Sequence, residues 1–155
     1  MASSQPQPAA ANGAGLPLRV LVDTNVALDW LLNRQPWSTA AQPLWDARDA
    51  GRLVAYLPAS VLTDIFYIVR RQADISTAFA AVDRLFGAFG LLLVDDALLH
   101  QARALSGTDF EDNIQIACAV NARLDLIVTR DPTGFRASPV LAIEPPQITA
   151  HLKAP

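Results

Sequence analysis

The stretch Leu18-Arg19-Val20-Leu21-Val22-Asp23 is an apolar run that ends in a carboxylate. A second run of the same kind, Leu126 to Thr129, is followed two residues later by Asp131. Short, nearly continuous apolar runs are typical of strands that are covered on both faces of a parallel sheet. Because ligand sites in such sheets form at the carboxyl ends of the strands, these two aspartates predict a site at that edge.

The rest of the chain alternates strand-like and helix-like segments. This alternation predicts an α/β fold, a three-layer α/β/α sandwich around a mostly parallel sheet of four to five strands. The predicted strands are Leu18 to Val22, Leu53 to Leu57, Leu91 to Val94, Leu126 to Thr129 and Val140 to Ile143. The predicted helices are Asn25 to Leu32, Thr39 to Ala50, Val61 to Arg71, Ile75 to Phe89, Ala97 to Leu105 and Asp109 to Ala122. Ser38 is a candidate cap for the second helix, and Pro43 predicts either a kink there or a later start.

Length and composition predict one globular domain at residues 18–155. The chain has 155 residues, 52% of them hydrophobic, which suffices for a sizeable core without disulfides. Residues 1–17 are mostly small, polar or proline residues and are predicted to be a disordered tail rather than a signal peptide. No apolar stretch approaches the roughly 18 residues of a membrane span, so we expect a soluble, cytoplasmic protein with no membrane partner. The single cysteine, Cys118, excludes an intramolecular disulfide.

Four aspartates lie where predicted elements begin or end: Asp23, Asp64, Asp112 and Asp131. Carboxylates from distant segments supply the oxygen ligands that Mg²⁺ takes, and bound Mg²⁺ can both activate water and neutralise charge in phosphodiester hydrolysis. Clustered carboxylates repel one another without a cation, so the arrangement is costly for stability alone. If all four bind metal, the remaining eleven acids nearly balance twelve Lys and Arg residues, so the net charge of −3 does not exclude a partner that carries phosphate groups.

The third of these acids lies at the start of a predicted helix. Asp109 and Asp112 are three residues apart and share a helix face, whereas Glu111 is predicted to point about 100° away from Asp112. An Asp in the first helical turn also commonly serves as a cap or a dipole partner. The spacing alone therefore leaves both roles open.

Four segments together resemble the PIN domain: Arg19 to Asn25 (RVLVDTN), Thr63 to Ile65 (TDI), Asp109 to Ala117 (DFEDNIQIA) and Asp125 to Asp131 (DLIVTRD). They occur in the family's order over most of Leu18 to Leu152. Each motif is common by itself, but all four at these spacings are specific. PIN domains are Mg²⁺- or Mn²⁺-dependent ribonucleases on a Rossmann-like sheet, and many bacterial single-domain members are VapC-type toxins held by an antitoxin.

The resemblance implies a role for each matching residue. The catalytic, metal-binding acids are Asp23, Asp64, Asp112 and Asp131, and the residues that orient them or a water are Thr24, Asn25, Asp109 and Thr129. Alternatives remain at two of these positions, since Thr24 is also a candidate helix cap and Thr129 a simple strand end. Many PIN domains carry Glu where this chain has Asp64, which reaches about 1.5 Å less far and predicts weaker or water-mediated metal contact. The fourth acid varies in the family, so Asp131 is expected to be less critical.

Four arginines near these segments are predicted phosphate contacts: Arg34, Arg70, Arg71 and Arg130. An exposed arginine is also often merely solvated. A homodimer is a further expectation of the resemblance, with Ile65 to Val69 and Phe79 to Phe89 as candidate surfaces that core burial explains equally well.

The leading hypothesis is therefore an Mg²⁺- or Mn²⁺-dependent endoribonuclease, the toxin of a type II toxin–antitoxin pair with a VapB-like antitoxin. The alternative is a catalytically weak PIN fold that binds RNA or protein without cutting. A receiver domain requires a lysine near the last strand, but the one lysine is Lys153. A haloacid-dehalogenase-like phosphatase requires a second Asp two residues after Asp23, where this chain has Asn25.

Overall fold

The computed structural model describes residues 15–152. The predicted disordered tail falls mostly on residues 1–14, which lie outside the described residues, as do residues 153–155. Residues 15–17 precede the first strand without helical or strand structure. No helix in the described part of the chain is both long enough and apolar enough to cross a membrane.

A parallel sheet runs through the centre of the fold. Its strands are β1 (Leu18–Val22), β2 (Leu53–Pro58), β3 (Gly90–Leu92), β4 (Leu126–Val128) and β5 (Ala142–Ile143), in the order β3-β2-β1-β4-β5. All four neighbouring pairs are parallel, which confirms the predicted fold class. The chain builds outward from β1 on one side to β2 and β3, and on the other to β4 and β5. The β1–β4 junction is thus the switch point at which sheets of this kind bind ligands.

The helices within residues 15–152 are α1 (Thr24–Leu32), α2 (Trp37–Ala40), α3 (Gln42–Asp49), α4 (Val61–Gln72), α5 (Ile75–Ala88), α6 (Asp96–Ala104) and α7 (Phe110–Asn121). Two 3₁₀ helices, Pro132–Phe135 and Pro145–His151, were not predicted, because segments this short carry no helical periodicity. The single helix predicted from Thr39 to Ala50 is wrong: α2 and α3 are separate. Pro43 lies in the first turn of α3, as a later start requires, and Ser38 lies inside α2 rather than capping a helix.

The sheet is covered on both faces. Val20 and Val22 of β1 pack into one core cluster, with side chains from α1, α3, α4 and α5. Leu21, which points the other way, packs into a second cluster with side chains from α6 and α7. This alternation along one strand produces the predicted three-layer sandwich. Cys118 belongs to the second core, where burial raises the pKa of its thiol to about 11.

Four strands differ from prediction at their ends. β2 extends one residue further than predicted, to Pro58. β3 begins at Gly90 and ends at Leu92 rather than running from Leu91 to Val94, because its partner β2 ends at Pro58, directly opposite Leu92. A strand ends where its neighbour no longer supplies backbone partners. β4 stops one residue before Thr129, and β5 comprises two residues rather than four.

Candidate active site

Asp23 lies immediately after β1 and precedes the first residue of α1. It is only 7% exposed, and both of its carboxylate oxygens accept hydrogen bonds. Gln115 Nε2 donates to Asp23 Oδ1 at 3.0 Å, and Thr129 Oγ1 donates to Asp23 Oδ2 at 2.8 Å. The side chain is therefore held in one orientation at the carboxyl end of β1.

Thr129 connects the ends of two strands. Its fully buried hydroxyl donates to Asp23 and accepts from the backbone N–H of Asp131 at 3.1 Å. One hydroxyl thus links the acid that follows β1 to the acid that follows β4. Thr129 directly follows β4 and also holds the Asp23 carboxylate, so the contact agrees with the orienting role that the resemblance implies, and that role stays a prediction.

The start of α7 brings further carboxylates to the same place. Asp109 is the N-cap, and its carboxylate accepts from the backbone N–H of Asp112 at 3.1 Å. Burial, followed by the nearby charges of Asp109, Asp23, Glu111 and Asp131, raises the pKa of Asp112 to about 6. Asp112 is therefore surrounded by like charges that disfavour its ionised form.

The fourth acid occupies the turn after β4. The side chain and backbone of Thr133 donate hydrogen bonds to the Asp131 carboxylate and lower its pKa. Gly134 follows, where a Cβ atom would lie 2.9 Å from Asp112 Oδ2 and 3.9 Å from Asp131 Oδ2. The missing side chain leaves room for these two carboxylates to share one space.

The acids line a cleft of about 200 Å³. Its lining residues are Asp23, Asn25, Asp109, Glu111, Asp112, Thr129, Asp131 and Phe135. The structure thus brings together six of the eight residues predicted as acids or positioning residues.

The other two predicted residues, Asp64 and Thr24, line an adjoining cleft. Asp64 is exposed on α4. Thr24 donates from its hydroxyl to Glu111 Oε1 at 2.7 Å and does not cap α1, so the cap interpretation is wrong. Glu111 lines both clefts. A separation of 100° on the first turn of α7 still leaves Glu111 facing the end of the sheet.

Sequence reasoning missed three contributors, Gln115, Gly134 and Glu111. Gln115 is buried and lies three residues after Asp112, so helical periodicity was a signal that would have found it. Gly134 carried no such signal, because its role is to lack a side chain beside Asp112. Glu111 was visible in the sequence, but its hydroxyl partner Thr24 is 87 residues away.

The donor set fits a hard divalent cation, since it consists of carboxylate oxygens beside a gap that a Cβ at Gly134 would fill. Within residues 15–152, no three acidic, His or Cys side chains are already arranged to hold an ion. Glu111 accepts a hydrogen bond from Thr24, and Asp131 accepts hydrogen bonds from Thr133. Asp131 is exposed to solvent.

Two of the four predicted phosphate contacts, Arg130 and Arg34, interact electrostatically with a buried acid, Asp29. Arg130 Nη1 lies 3.4 Å from the buried Asp29 carboxylate, and its guanidinium lies 4.4 Å from the ring centre of Trp37. Burial raises the pKa of Asp29, while Arg130 and then Arg34 oppose the shift. Arg130 also lines a separate cleft of about 170 Å³ with Asp29 and Trp37. The positive charges of Arg130 and Arg34 offset part of the cost of burying Asp29, whose pKa nevertheless stays raised.

The other two predicted phosphate contacts, Arg70 and Arg71, are both exposed near the end of α4. Arg71 lines the cleft that contains Asp64, and Arg70 is not among its lining residues. Adjacent positions on a helix point about 100° apart, which explains the difference.

The family model of the PIN domain matches residues 19–133, most of the chain and every acid of the cleft. The chain belongs to the PIN-domain family. Among curated protein sequences there is no significant match.

Solved PIN structures share the fold. The VapBC2 complex of Rickettsia felis, solved with a promoter DNA fragment, is 12% identical with a TM-score of 0.62, covering 82% of this chain and 98% of that one. VapC20 of Mycobacterium tuberculosis, a sarcin–ricin loop-cleaving toxin, is 20% identical with a TM-score of 0.61, covering 76% and 94%. The FitAcB structure of Neisseria gonorrhoeae is 21% identical with a TM-score of 0.57, covering 81% and 97%. At these identities the likeness establishes the PIN fold.

Proposed function

We propose that this PIN-domain protein is a metal-dependent endoribonuclease that uses Mg²⁺ or Mn²⁺. The observation that carries the proposal is the acidic cleft at the β1–β4 switch point, where Asp112 is surrounded by four other carboxylates. An arrangement of this kind is unfavourable without a cation to offset the repulsion. The family match and the likeness to a toxin described as cleaving the sarcin–ricin loop support the same activity.

Asp23, Asp112 and Asp131 are the residues that would hold the metal, with Glu111 and Asp64 at the border of the adjoining cleft completing the acidic set. When bound, Mg²⁺ supplies a neutralising charge and lowers the pKa of a coordinated water. The protein's own contribution is orientation. Gln115 and Thr129 fix the two oxygens of Asp23, so that this carboxylate does not lose rotational freedom when a ligand arrives.

The biological setting that we propose is a toxin–antitoxin pair. Several similar structures are toxin–antitoxin complexes, including one from Klebsiella pneumoniae and the FitAB complex bound to DNA. We propose a VapB-like antitoxin as protein partner and RNA as substrate. For a homodimer, the exposed side chains of the two predicted segments are Tyr67 of α4 and Phe79 and Phe86 of α5. The buried members are Ile65, Val69, Leu85 and Phe89.

A second candidate function is a PIN fold that binds RNA or protein but cuts weakly. The specific observation in its favour is that Asp64 lies in the adjoining cleft rather than among the other acids. The side chain of Asp64 is also shorter than the Glu that many PIN domains carry at this position, which further disfavours contact between residue 64 and a metal held by the other acids. Activity and metal binding therefore have to be measured separately.

The experiment that tests the proposal compares wild type with Asp112→Asn on a structured RNA pool in Mg²⁺, Mn²⁺ or EDTA, with calorimetry of metal binding in parallel. Asp96→Asn is the matched control, since Asp96 also lies in the first turn of a helix but is almost fully exposed. We expect metal-dependent cutting by wild type and Asp96→Asn, and loss of both cutting and metal binding in Asp112→Asn. Absence of cutting and of metal binding in all three proteins would favour the binding-only PIN fold.

A further inference from the structure

The adjoining cleft is the larger of the two, at about 490 Å³. Its lining residues are Thr24, Asn25, Leu28, Asp64, Tyr67, Ile68, Arg71 and Glu111. Asn25 and Glu111 also line the acidic cleft, so the two clefts adjoin each other at the Thr24–Glu111 hydrogen bond. An RNA strand that binds with one phosphate among the acids therefore has room for a neighbouring nucleotide in this cleft.

One face of α4 forms the outer wall of this cleft. Asp64, Tyr67 and Arg71 follow each other at spacings of three and four residues, which places them on the same helical face. Tyr67 is 57% exposed, and Phe66 contacts its ring edge-on at 5.4 Å between centroids. That contact supports the ring from one side while more than half of the residue remains open to solvent. Exposed aromatic rings of this kind are the platforms on which unpaired bases stack.

Arg71 adds a cation to the same wall. Its side chain makes no ion pair or hydrogen bond to any residue in the range 15–152, unlike Arg130, which faces Asp29. The cleft also contains the carboxylates of Asp64 and Glu111, but neither forms an ion pair with Arg71. An exposed guanidinium one helical turn from an exposed aromatic ring is a combination that binds a phosphate and the base attached to it. The cleft is lined by both polar and apolar side chains, and the ring of Tyr67 together with the guanidinium of Arg71 favours a nucleotide as its occupant.

We propose that this cleft binds the nucleotide next to the scissile phosphate, with its base stacked on Tyr67 and its phosphate held by Arg71. The inference rests on the proposed ribonuclease function and extends it to the substrate. A base stacks on Tyr67 only when it is unpaired, so the enzyme selects single-stranded or looped RNA at the cut. Because every base can stack on an aromatic ring, Tyr67 distinguishes unpaired from paired nucleotides and does not distinguish one base from another.

The test measures equilibrium binding of a labelled single-stranded RNA by fluorescence anisotropy, in the Asp112→Asn background to prevent cutting. Tyr67→Leu should weaken binding about 5-fold or more, and Tyr67→Phe should restore it. Phe79→Leu is the matched control, because Phe79 is 58% exposed and contacts Phe66 in a similar edge-on manner but lies outside the cleft. Arg71→Ala should reduce the slope of log K against log salt by about 0.7, whereas Arg70→Ala should leave it unchanged.

An RNA with abasic sites separates stacking from other effects of the substitution. If Tyr67 stacks on a base, the difference between wild-type Tyr67 and Leu disappears when that base is removed. Equal RNA affinities for the Tyr67→Leu and Phe79→Leu variants would overturn the proposal. A shift of Tyr67→Leu from dimer to monomer in sedimentation velocity, with RNA affinity unchanged, would also overturn it and assign the face to a second copy.

Failure of the proposed function has a different signature. If unmodified protein cuts no RNA with Mg²⁺ or Mn²⁺ but Tyr67-dependent binding persists, the nuclease is wrong and the nucleotide site stands. If cutting is metal-dependent and insensitive to Tyr67→Leu and Arg71→Ala, the nuclease stands and the nucleotide site is wrong. If the protein neither binds nor cuts RNA, both are wrong.

Discussion

Replacing Asp112 by Asn should make the metal-free protein more stable at neutral pH, even though it removes a proposed catalytic residue. Burial and four neighbouring carboxylates raise the pKa of Asp112 to about 6 in the folded protein. In the unfolded chain an aspartate titrates at about 3.9. The folded state therefore favours the protonated side chain, and the ionised form present at pH 7.5 opposes folding.

The size of the effect follows from this difference in pKa. A shift of one pKa unit corresponds to about 1.4 kcal/mol, so the full shift would be worth about 3 kcal/mol. Asp112 is only partly buried, and solvent screening reduces the expected gain from Asp112→Asn to about 1 kcal/mol. The native protein keeps this stability below about pH 4 and loses it as pH rises through about 6. The advantage of Asn should thus be absent at pH 4 and complete by pH 7.5.

Urea or thermal unfolding in EDTA at the two pH values provides the assay. For a domain of this size, about 1 kcal/mol corresponds to a rise of about 2 to 4 °C in Tm. Asp96→Asn is the control, because Asp96 lies in the first turn of α6 and makes a favourable 3.6 Å contact with His100 rather than joining a cluster of acids. It should be neutral or slightly destabilising. If the Asp112→Asn variant is no more stable than wild type at pH 7.5, burial and the neighbouring carboxylates do not destabilise the ionised form of Asp112, and the reasoning is refuted.

The remaining predictions concern the metal and its support. Saturating Mg²⁺, at about 100 times Kd, should stabilise wild type by about 2.7 kcal/mol in thermal unfolding and stabilise Asp112→Asn much less; equal stabilisation would place the cation elsewhere. Gly134→Ala should reduce Mg²⁺ affinity in calorimetry by displacing Asp112 Oδ2, which would lie 2.9 Å from the new Cβ. Gly87→Ala is the control, because a Cβ there meets nothing beyond its own helix within 4 Å; it should leave affinity unchanged and raise stability by at most about 0.5 to 1 kcal/mol. Gln115→Leu should lower metal affinity or cleavage about 10- to 100-fold by releasing Asp23 Oδ1; unchanged affinity and cleavage would contradict that role.

The fold was largely predictable because its elements are marked by local patterns. The β1 run and the β4 run are both continuous and apolar, which indicated strands buried on two faces, and the structure has them as neighbours. The break between α2 and α3 was predictable only as a later start, from the backbone restriction at Pro43. The short extent of β3 was not predictable, since it depends on where β2 stops.

The location of the site was predictable for a related reason. Asp23 and Asp131 follow strands of the same parallel sheet, and the carboxyl ends of parallel strands share an edge. Asp112 was placed by the PIN resemblance rather than by its own spacing. The pKa of Asp112 was beyond prediction, because it depends on distances among side chains from three separate segments.

The sequence by itself determined the parallel α/β class, the edge at which acids collect and the PIN resemblance, because hydrophobic periodicity and motif order are properties of the chain. Only the tertiary structure decided that Gln115 donates to Asp23, 92 residues away, and that Glu111 faces Thr24. It also placed Asp64 beside Tyr67 in a second cleft. Such contacts depend on how α4 and α7 pack against the sheet, and a local pattern does not encode those packing distances.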